Sequence, residues 1–399
     1  MNLPEIKNMI HRLSAEYLDE IITIRRHLHR HPELSMEEVK TSAYIAAKLD
    51  EYHIPYKKGI AQTGIVATIE GMNPSAKTIA LRADMDALPI TESCKTEFAS
   101  ANPGVMHACG HDVHIASLLG AAKIMNGMKQ EFSGSIRLIF QPSEEKFPGG
   151  AFMMINEGVL ENPKPENIVA QHVLPSLEVG KIGIRSGKYM ASTDEIYLTV
   201  IGKGGHGATP ELNVDPVVIA AHIIVALQQI VSRNASPTIP TVLSFGKLIA
   251  NGRTNIIPDE VIIEGTIRTF DETWRAEAHQ RITKMAQSLA EGMGGSCKVF
   301  IDKGYPYLIN DEPLSNRIQS YAIDYLGREN VEQLDLRMAA EDFAYYSQQI
   351  PASLYRLGIR NEAKGIVANV HTSTFDVDEQ CLKTGMGFMA WVALNELNQ

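Results

Sequence analysis

The sequence predicts an α/β fold in two domains, the second inserted into the first. Three observations carry this reading. The chain has 399 residues, beyond the size at which one hydrophobic core stops growing. Residues 1–190 and 304–399 alternate helical and strand patterns, as a central mixed sheet flanked by helices requires. Residues 191–303 read strand, helix, strand, strand, helix, strand, the order of a ferredoxin-like α+β (βαββαβ) module.

Composition narrows the function classes. With 44% hydrophobic and 21% charged residues, the chain has the make-up of an ordinary globular protein. Lys and Arg total 37 against 47 for Asp and Glu, a formal charge of −10, and no basic run offsets it. A nucleic-acid partner is therefore not expected. The opening MNLPEIKNMIHRL is not a basic segment followed by an apolar one, and no uninterrupted apolar stretch approaches the length of a bilayer span, so no membrane partner is expected. Cys94, Cys109, Cys297 and Cys381 are dispersed, without a CxxC pair, as in a reducing, cytoplasmic protein.

Taken in order, Leu3, Ile6, Ile10, Leu13, Tyr17, Ile21, Ile24 and Leu28 recur at steps of three or four, predicting one long amphipathic helix ending before Pro32. His27, His29 and His31 alternate along its end, do not share a helical face, and read as a polar terminus. A second helix follows near 37–52, then strands over 64–70 and 78–82. The latter leads to Asp84 and Asp86, which are either paired carboxylates at a strand's C-terminal end or turn-forming aspartates before Pro89. His107-Ala108-Cys109-Gly110-His111-Asp112-Val113-His114 precedes a helix over about 112–125, and its glycine permits backbone angles that let thiolate and imidazole converge. The apolar strand 135–140 ends at Gln141-Pro142-Ser143-Glu144-Glu145, and a strand over 167–173 delivers His172 in the same way. In the inserted module, strands are expected over 194–201, 242–249, 261–270 and 296–302, with helices over 215–231 and 273–290. Segments 186–191 and 302–304 would connect the domains, and His371 falls in a loop before the last helix.

Cys109, His111, Glu145, His172 and His371 supply thiolate, imidazole and carboxylate from four segments, each at a strand end or in a loop. That donor set suits zinc, manganese, cobalt or nickel better than calcium or magnesium, which favour oxygen. Five donors exceed what one tetrahedral ion with an open position needs, so two divalent metal ions are the sharper expectation.

The stretches RRHLHRHPELSMEE (25–38), RADMDALP, HACGHDVH, QPSEE, GKGGHGATP (202–210), NIIPD, GTIRTF and AAEDFA occur in this order over nearly the whole chain. They resemble the aminoacylase and carboxypeptidase-G family of dinuclear metal amidohydrolases. The nearest branch contains hippurate hydrolases, indole-acetyl-amino-acid hydrolases and N-acetyl-diaminopimelate deacetylases. The resemblance implies a metallopeptidase-type catalytic domain and an inserted lid or dimerisation domain. It places Cys109, His111, Glu145, His172 and His371 as ligands and Glu144 as general base, which takes a proton from water and returns it to the leaving nitrogen. His206 would reach across a homodimer to polarise the scissile carbonyl, with Asn255 and Arg268 binding the substrate carboxylate. The alternative reading of His206 is a solvent-exposed turn histidine, and Arg268 is equally a surface strand residue. The sequence departs from the wider family at Asp84, where many members carry a ligand histidine, and at Lys146 and Phe147, where glycines are common. Asp84 therefore receives no ligand role, Asp86 the orientation of a ligand imidazole, and His107 and His114 packing or hydrogen bonding.

The implied activity is hydrolysis of N-acyl amino acids to an acid and a free amino acid by a cytoplasmic homodimer. A metal-dependent dipeptidase or carboxypeptidase is the first rival. A non-catalytic dimeric binding protein on the same scaffold is the second.

Overall fold

The computed structural model describes residues 2–399. The chain divides into two compact units: residues 1–187, 309–335 and 342–399 form the first, and residues 188–308 with 336–341 the second.

The first unit is built on an eight-stranded mixed sheet. Its strands run in the order Tyr56–Ile60, Gly64–Glu70, Ser135–Gln141, Thr78–Asp84, Asn167–Glu178, Ala352–Arg360, Ile182–Ile184, Val331–Gln333. The central four, Ser135–Gln141 through Ala352–Arg360, are mutually parallel. Every residue of Thr78–Asp84 and Ser135–Gln141 is buried, the charged Arg82, Asp84 and Arg137 included, so neither strand alternates between a buried and an exposed face. Because they are parallel, their C-terminal ends open on the same edge of the sheet. The Asn167–Glu178 strand runs five residues beyond the predicted end at Val173. Its pairing with Thr78–Asp84 nevertheless stops at Arg82 with Ala170, so His172 lies just past its neighbour's ladder.

Helices His111–Gly127 and Cys381–Leu397 are apolar on nearly all sides and pack on one another in the core. A Cβ on Gly120 would lie 2.8 Å from the Met386 Cβ, so the missing side chain sets how closely these helices approach. The single N-terminal helix expected from the sequence is two helices, Leu3–Glu16 and Leu18–Arg30, divided at Tyr17. The apolar period continues through that break because Ile10, Ile21, Ile24 and Leu28 bury into the same core. Arg25, wholly buried, donates from Nε to Asp112 Oδ2 at 2.8 Å, and His29 Nδ1 lies 2.8 Å from the same oxygen. This ion pair ties the second helix to the first turn of His111–Gly127.

The second unit carries a four-stranded antiparallel sheet in the order Thr241–Ile249, Glu260–Thr269, Asp194–Ile201, Ser296–Lys303. Helices Pro216–Leu227 and Glu272–Gly292 complete the βαββαβ order. Ile196, Leu198 and Val200 alternate on the core face with Ile219, Ile223, Ile263 and Ile282. The helical run Pro216–Asn234 spans 19 residues with a mean hydropathy of 1.5. By length and composition this run would suffice to cross a membrane, but His222, Gln228, Gln229 and Arg233 interrupt it, so it is not an uninterrupted apolar stretch. Its apolar character has a local cause as well, because Ile219, Ile223 and Leu227 are buried in the unit's core.

Removing one partner of a buried ion pair leaves the other charge uncompensated, so Arg25→Met should destabilise the fold by about 3–5 kcal/mol in urea unfolding at neutral pH. Burial opposes ionisation of Asp112, but Arg25 and His29 outweigh it and hold that carboxyl far below its usual range. The pair's contribution is therefore complete above the ordinary aspartate pKa of about 3.9 and fades as pH falls below it. The Arg25→Met variant should lose less stability than wild type over that acid window.

Candidate metal centre

Cys109 and His111 flank Gly110, whose φ of +81° places it in the left-handed region. A Cβ there would sit 2.6 Å from Val173 Cγ2, so both the backbone angle and the space require glycine. The turn opens the His111–Gly127 helix and brings the buried Cys109 Sγ to 3.5 Å from His172 Nε2. A tetrahedral ion with metal–sulfur near 2.3 Å and metal–nitrogen near 2.0–2.1 Å holds such atoms about 3.5 Å apart, so the pair fits a shared cation.

The imidazoles are held by their far nitrogens. His111 Nδ1 lies 2.8 Å from the backbone carbonyl of Asp86, and His172 Nδ1 lies 2.9 Å from that of Val173. A carbonyl only accepts, so each Nδ1 carries the proton and each Nε2 keeps its lone pair. His111 Nε2 is buried without a hydrogen-bond partner among the described residues. Such an atom is costly unless something accepts its lone pair.

His114 is arranged oppositely. Its Nδ1 faces Asp84 Oδ1 at 2.5 Å, and its Nε2 accepts the Val173 N–H at 2.9 Å. Both nitrogens are engaged, which excludes it from ligation and agrees with the hydrogen-bonding role expected for it. His107 is buried with neither nitrogen paired, and burial lowers its pKa to about 4.

Glu144 and Glu145 follow the Ser135–Gln141 strand, with Ser143 at φ +53° turning the chain. Their backbone N–H groups donate to Asp86 Oδ1 and Oδ2 at 3.0 and 2.9 Å. Ser35 Oγ donates to Oδ2 at 2.6 Å, and His111 Nδ1 lies 3.3 Å from Oδ1. Burial raises the pKa of Asp86, but the His111 hydrogen bond and charge, Ser35 and the Glu145 N–H together depress it. Asp86 thus does more than the imidazole orientation expected of it, because it also fixes the backbone of both glutamates.

Glu145 Oε1 lies 3.2 Å from His371 Nε2 and 4.0 Å from His111 Nε2. His371 itself is held at φ +62°, with its N–H bonded to the Ala108 carbonyl at 2.7 Å. A histidine in the left-handed region is uncommon, and such strain gathers at functional sites. Two groups, Cys109 with His111 and His172, and Cys109 with Glu145 and His371, each bring their donor atoms within 4.8 Å of one another. Asp84, His111 and His114 form a further such group, but Asp84 Oδ2 is taken by Arg82 at 2.6 Å and Oδ1 by His114.

The electrostatics of the site favour a cation. The neighbouring Cys109 and Glu145 push the His371 pKa up to about 10, and His111 is raised although burial opposes it, through Asp84 and Cys109. Burial and the Glu145 charge raise the Cys109 thiol, so a positive ion is what would hold it as thiolate.

Sequence reasoning gave no role to Arg82, Gln141 and Asp342. Arg82 donates to Gln141, Asp84 and Asp342, and Asp342 also accepts from Gln141 Nε2 and the Ala151 N–H. The Asp342 N–H donates to Glu144 Oε1 at 3.3 Å. The signal was present in RADMD and AAEDFA, where charged residues interrupt otherwise apolar segments.

The remaining residues singled out from the sequence lie in the second unit. His206 is exposed, in a two-residue strand pairing with Ile256, and the Gly207 N–H bonds the Asn255 carbonyl. His206 Nδ1 accepts the Ala208 N–H at 3.0 Å, which leaves Nε2 as a donor. Arg268 stands on the Glu260–Thr269 strand with Nη1 buried and unpartnered, and burial lowers its pKa.

Replacing Asp86 by Ala removes the acceptor shared by both glutamate N–H groups. Zinc affinity of the Asp86→Ala variant, measured by competition with a chromophoric chelator, should fall about 10–100-fold while its circular dichroism stays native.

Comparison with known proteins places the chain. Residues 80–395 match peptidase family M20/M25/M40. An N-acyl-L-amino acid amidohydrolase of Geobacillus stearothermophilus is 44% identical over 305 residues, 76% of this chain and 81% of the relative. Thermostable carboxypeptidase 2 of Saccharolobus solfataricus is 38% identical over 387 residues, 96% and 97% of the two chains. The crystal structure of a dinuclear metal binding peptidase from the M20 family of Bacillus subtilis superposes with a TM-score of 0.82 at 32% identity, covering 96% of this chain and 99% of that one. The chain belongs to peptidase family M20/M25/M40.

Proposed function

We propose that this protein is a metal-dependent amidohydrolase that cleaves N-acyl amino acids into an acid and a free amino acid. The observation that carries the proposal is the convergence of two imidazole Nε2 atoms, each fixed by a backbone carbonyl at Nδ1, on one buried thiol beside paired glutamates. The 44% identity to an N-acyl-L-amino acid amidohydrolase supports the substrate class.

Cys109, His111, Glu145, His172 and His371 would hold two divalent cations, chosen among zinc, manganese, cobalt and nickel by the sulfur and nitrogen donors. When bound, these ions supply Lewis acidity to the attacking water and to the carbonyl. Glu144 is the general base: it removes the proton of the attacking water and delivers it to the departing nitrogen. Its N–H bond to Asp86 and the Asp342 N–H on its Oε1 fix where that carboxylate stands.

His206, Asn255 and Arg268 complete the proposed substrate site. The tautomer of His206 suits polarising a carbonyl oxygen, since Nε2 carries the proton. Arg268, which makes no ion pair among the described residues, suits a substrate carboxylate. We assign these three to a partner's site in a homodimer formed through residues 191–303, which act as lid and dimerisation domain of a cytoplasmic enzyme. A second reading, a carboxypeptidase, draws on the 38% identity to the Saccharolobus enzyme.

Glu144→Gln should retain its metal in elemental analysis and lose turnover by about 10²–10⁴-fold, the usual weight of a general base. Full activity in that variant would remove Glu144 from the mechanism. Rates on acetyl-, benzoyl- and indole-acetyl-amino acids beside peptides will separate the two readings, with acyl substrates expected to be faster. Mixing inactive His206→Ala and Glu144→Gln proteins should restore part of the activity if each site draws on two chains, and no recovery would reject the shared site.

A further inference from the structure

A groove of about 670 Å³ lies on the face of the first unit's sheet that does not carry the main core. Ile136 and Leu138, and across the ladder Ala67 and Ile69, point into that core, so Arg137 and its partner Thr68 point to the other face. Arg137 is only 6% exposed, in the middle of an interior strand. Its Nη1 donates to the carbonyls of Val159 and Glu161 at 2.6 and 2.9 Å. Among the described residues, its Nε is buried with no partner and Nη2 makes no hydrogen bond. Nη2 is not among the buried nitrogens, so it is the end of the guanidinium that can donate to an anion in the groove. Burial lowers the pKa of Arg137 without any carboxylate acting in the opposite direction. A buried guanidinium lacking a counter-charge is costly, and an anion entering the groove removes that cost.

The rest of the lining selects among anions. Lys57 and Arg137 are accompanied by Glu70, Glu157 and Glu161, so a multiply charged anion such as phosphate would meet net repulsion. Glu157 is already committed to the Ala61 N–H at 3.0 Å. Glu70 is exposed and pairs with Ser135, which places it diagonally across the ladder from Arg137 on the same face, roughly 7–8 Å away. Tyr56, Ile60, Val66 and Val159 supply apolar wall.

We propose that this groove binds the zwitterion of a free apolar α-amino acid, its carboxylate on Nη2 of Arg137 and its ammonium toward Glu70. The site is separate from the metal centre: Arg137 lies four residues, roughly 13 Å, before the strand end at Gln141, beyond which Glu144 and Glu145 stand. It does not depend on the reaction assigned there.

Isothermal titration of the metal-loaded protein with L-leucine, acetate, methylammonium and inorganic phosphate tests this. L-Leucine should bind in the millimolar range or tighter, and the other three about tenfold more weakly or not at all, since each lacks one of the two charged arms or carries excess charge. Arg137→Met should abolish this binding event and Glu70→Gln weaken it about tenfold, both leaving hydrolysis unchanged. Leucine binding that is the same in Arg137→Met as in wild type, or phosphate binding tighter than leucine, overturns the proposal. Should Arg137→Met fail to fold because it releases the Val159 and Glu161 carbonyls, the exposed Glu70→Gln substitution decides: weakened leucine binding supports the site and unchanged binding rejects it.

Discussion

The carboxylate of Asp86 is the constraint on which the geometry of the centre depends. It is almost fully buried and accepts the N–H groups of two consecutive glutamates and the hydroxyl of Ser35, while its own backbone carbonyl holds His111 Nδ1. A buried carboxylate is tolerated only when its lone pairs are filled, and here filling them also locates one imidazole and two carboxylates. The parallel strands make this economical: Thr78–Asp84 and Ser135–Gln141 end on the same edge, so residues following each meet without a long connection.

A second buried network holds the same edge from the other side. Arg82 spans Gln141, Asp84 and Asp342, Asp84 meets His114, and His114 accepts the N–H of Val173, next to His172. Each member is wholly buried, and each link is charge-assisted or fixes a tautomer. The network joins three parallel strands across their hydrogen-bonded order, so displacing one strand end would break polar contacts at all three. That rigidity holds donor atoms from distant segments within a few ångströms of one another.

Much of this was legible in the sequence because its signals are local. The buried strands announce themselves as short runs rich in apolar and β-branched residues, and the βαββαβ order follows from element types alone. The Cys-Gly-His turn follows from the one residue that tolerates φ near +81°. What was not legible depends on partners far apart in the chain. The role of Asp342 requires Arg82, 260 residues away, and the division of the first helix at Tyr17 leaves the apolar period intact. The strand through His172 runs on to Glu178 because Ala352–Arg360 continues to pair with it, although Thr78–Asp84 does not. A single-sequence pattern shows where a strand can form but not which neighbour extends it.

His111 and His114 show why donor identity is settled by backbone groups rather than by residue type. They stand three apart on one helix, both wholly buried, with ring centroids 5.4 Å apart. Spacing gives them equal claims. The difference lies in what meets the second nitrogen: a carbonyl acceptor behind His111 frees its Nε2, whereas the Val173 N–H consumes the Nε2 of His114. Exchanging an acceptor for a donor at one backbone position therefore converts an imidazole from a prospective ligand into a structural clamp. The strand that carries His172 supplies that donor, so the segment delivering one imidazole to the centre also withdraws another from it.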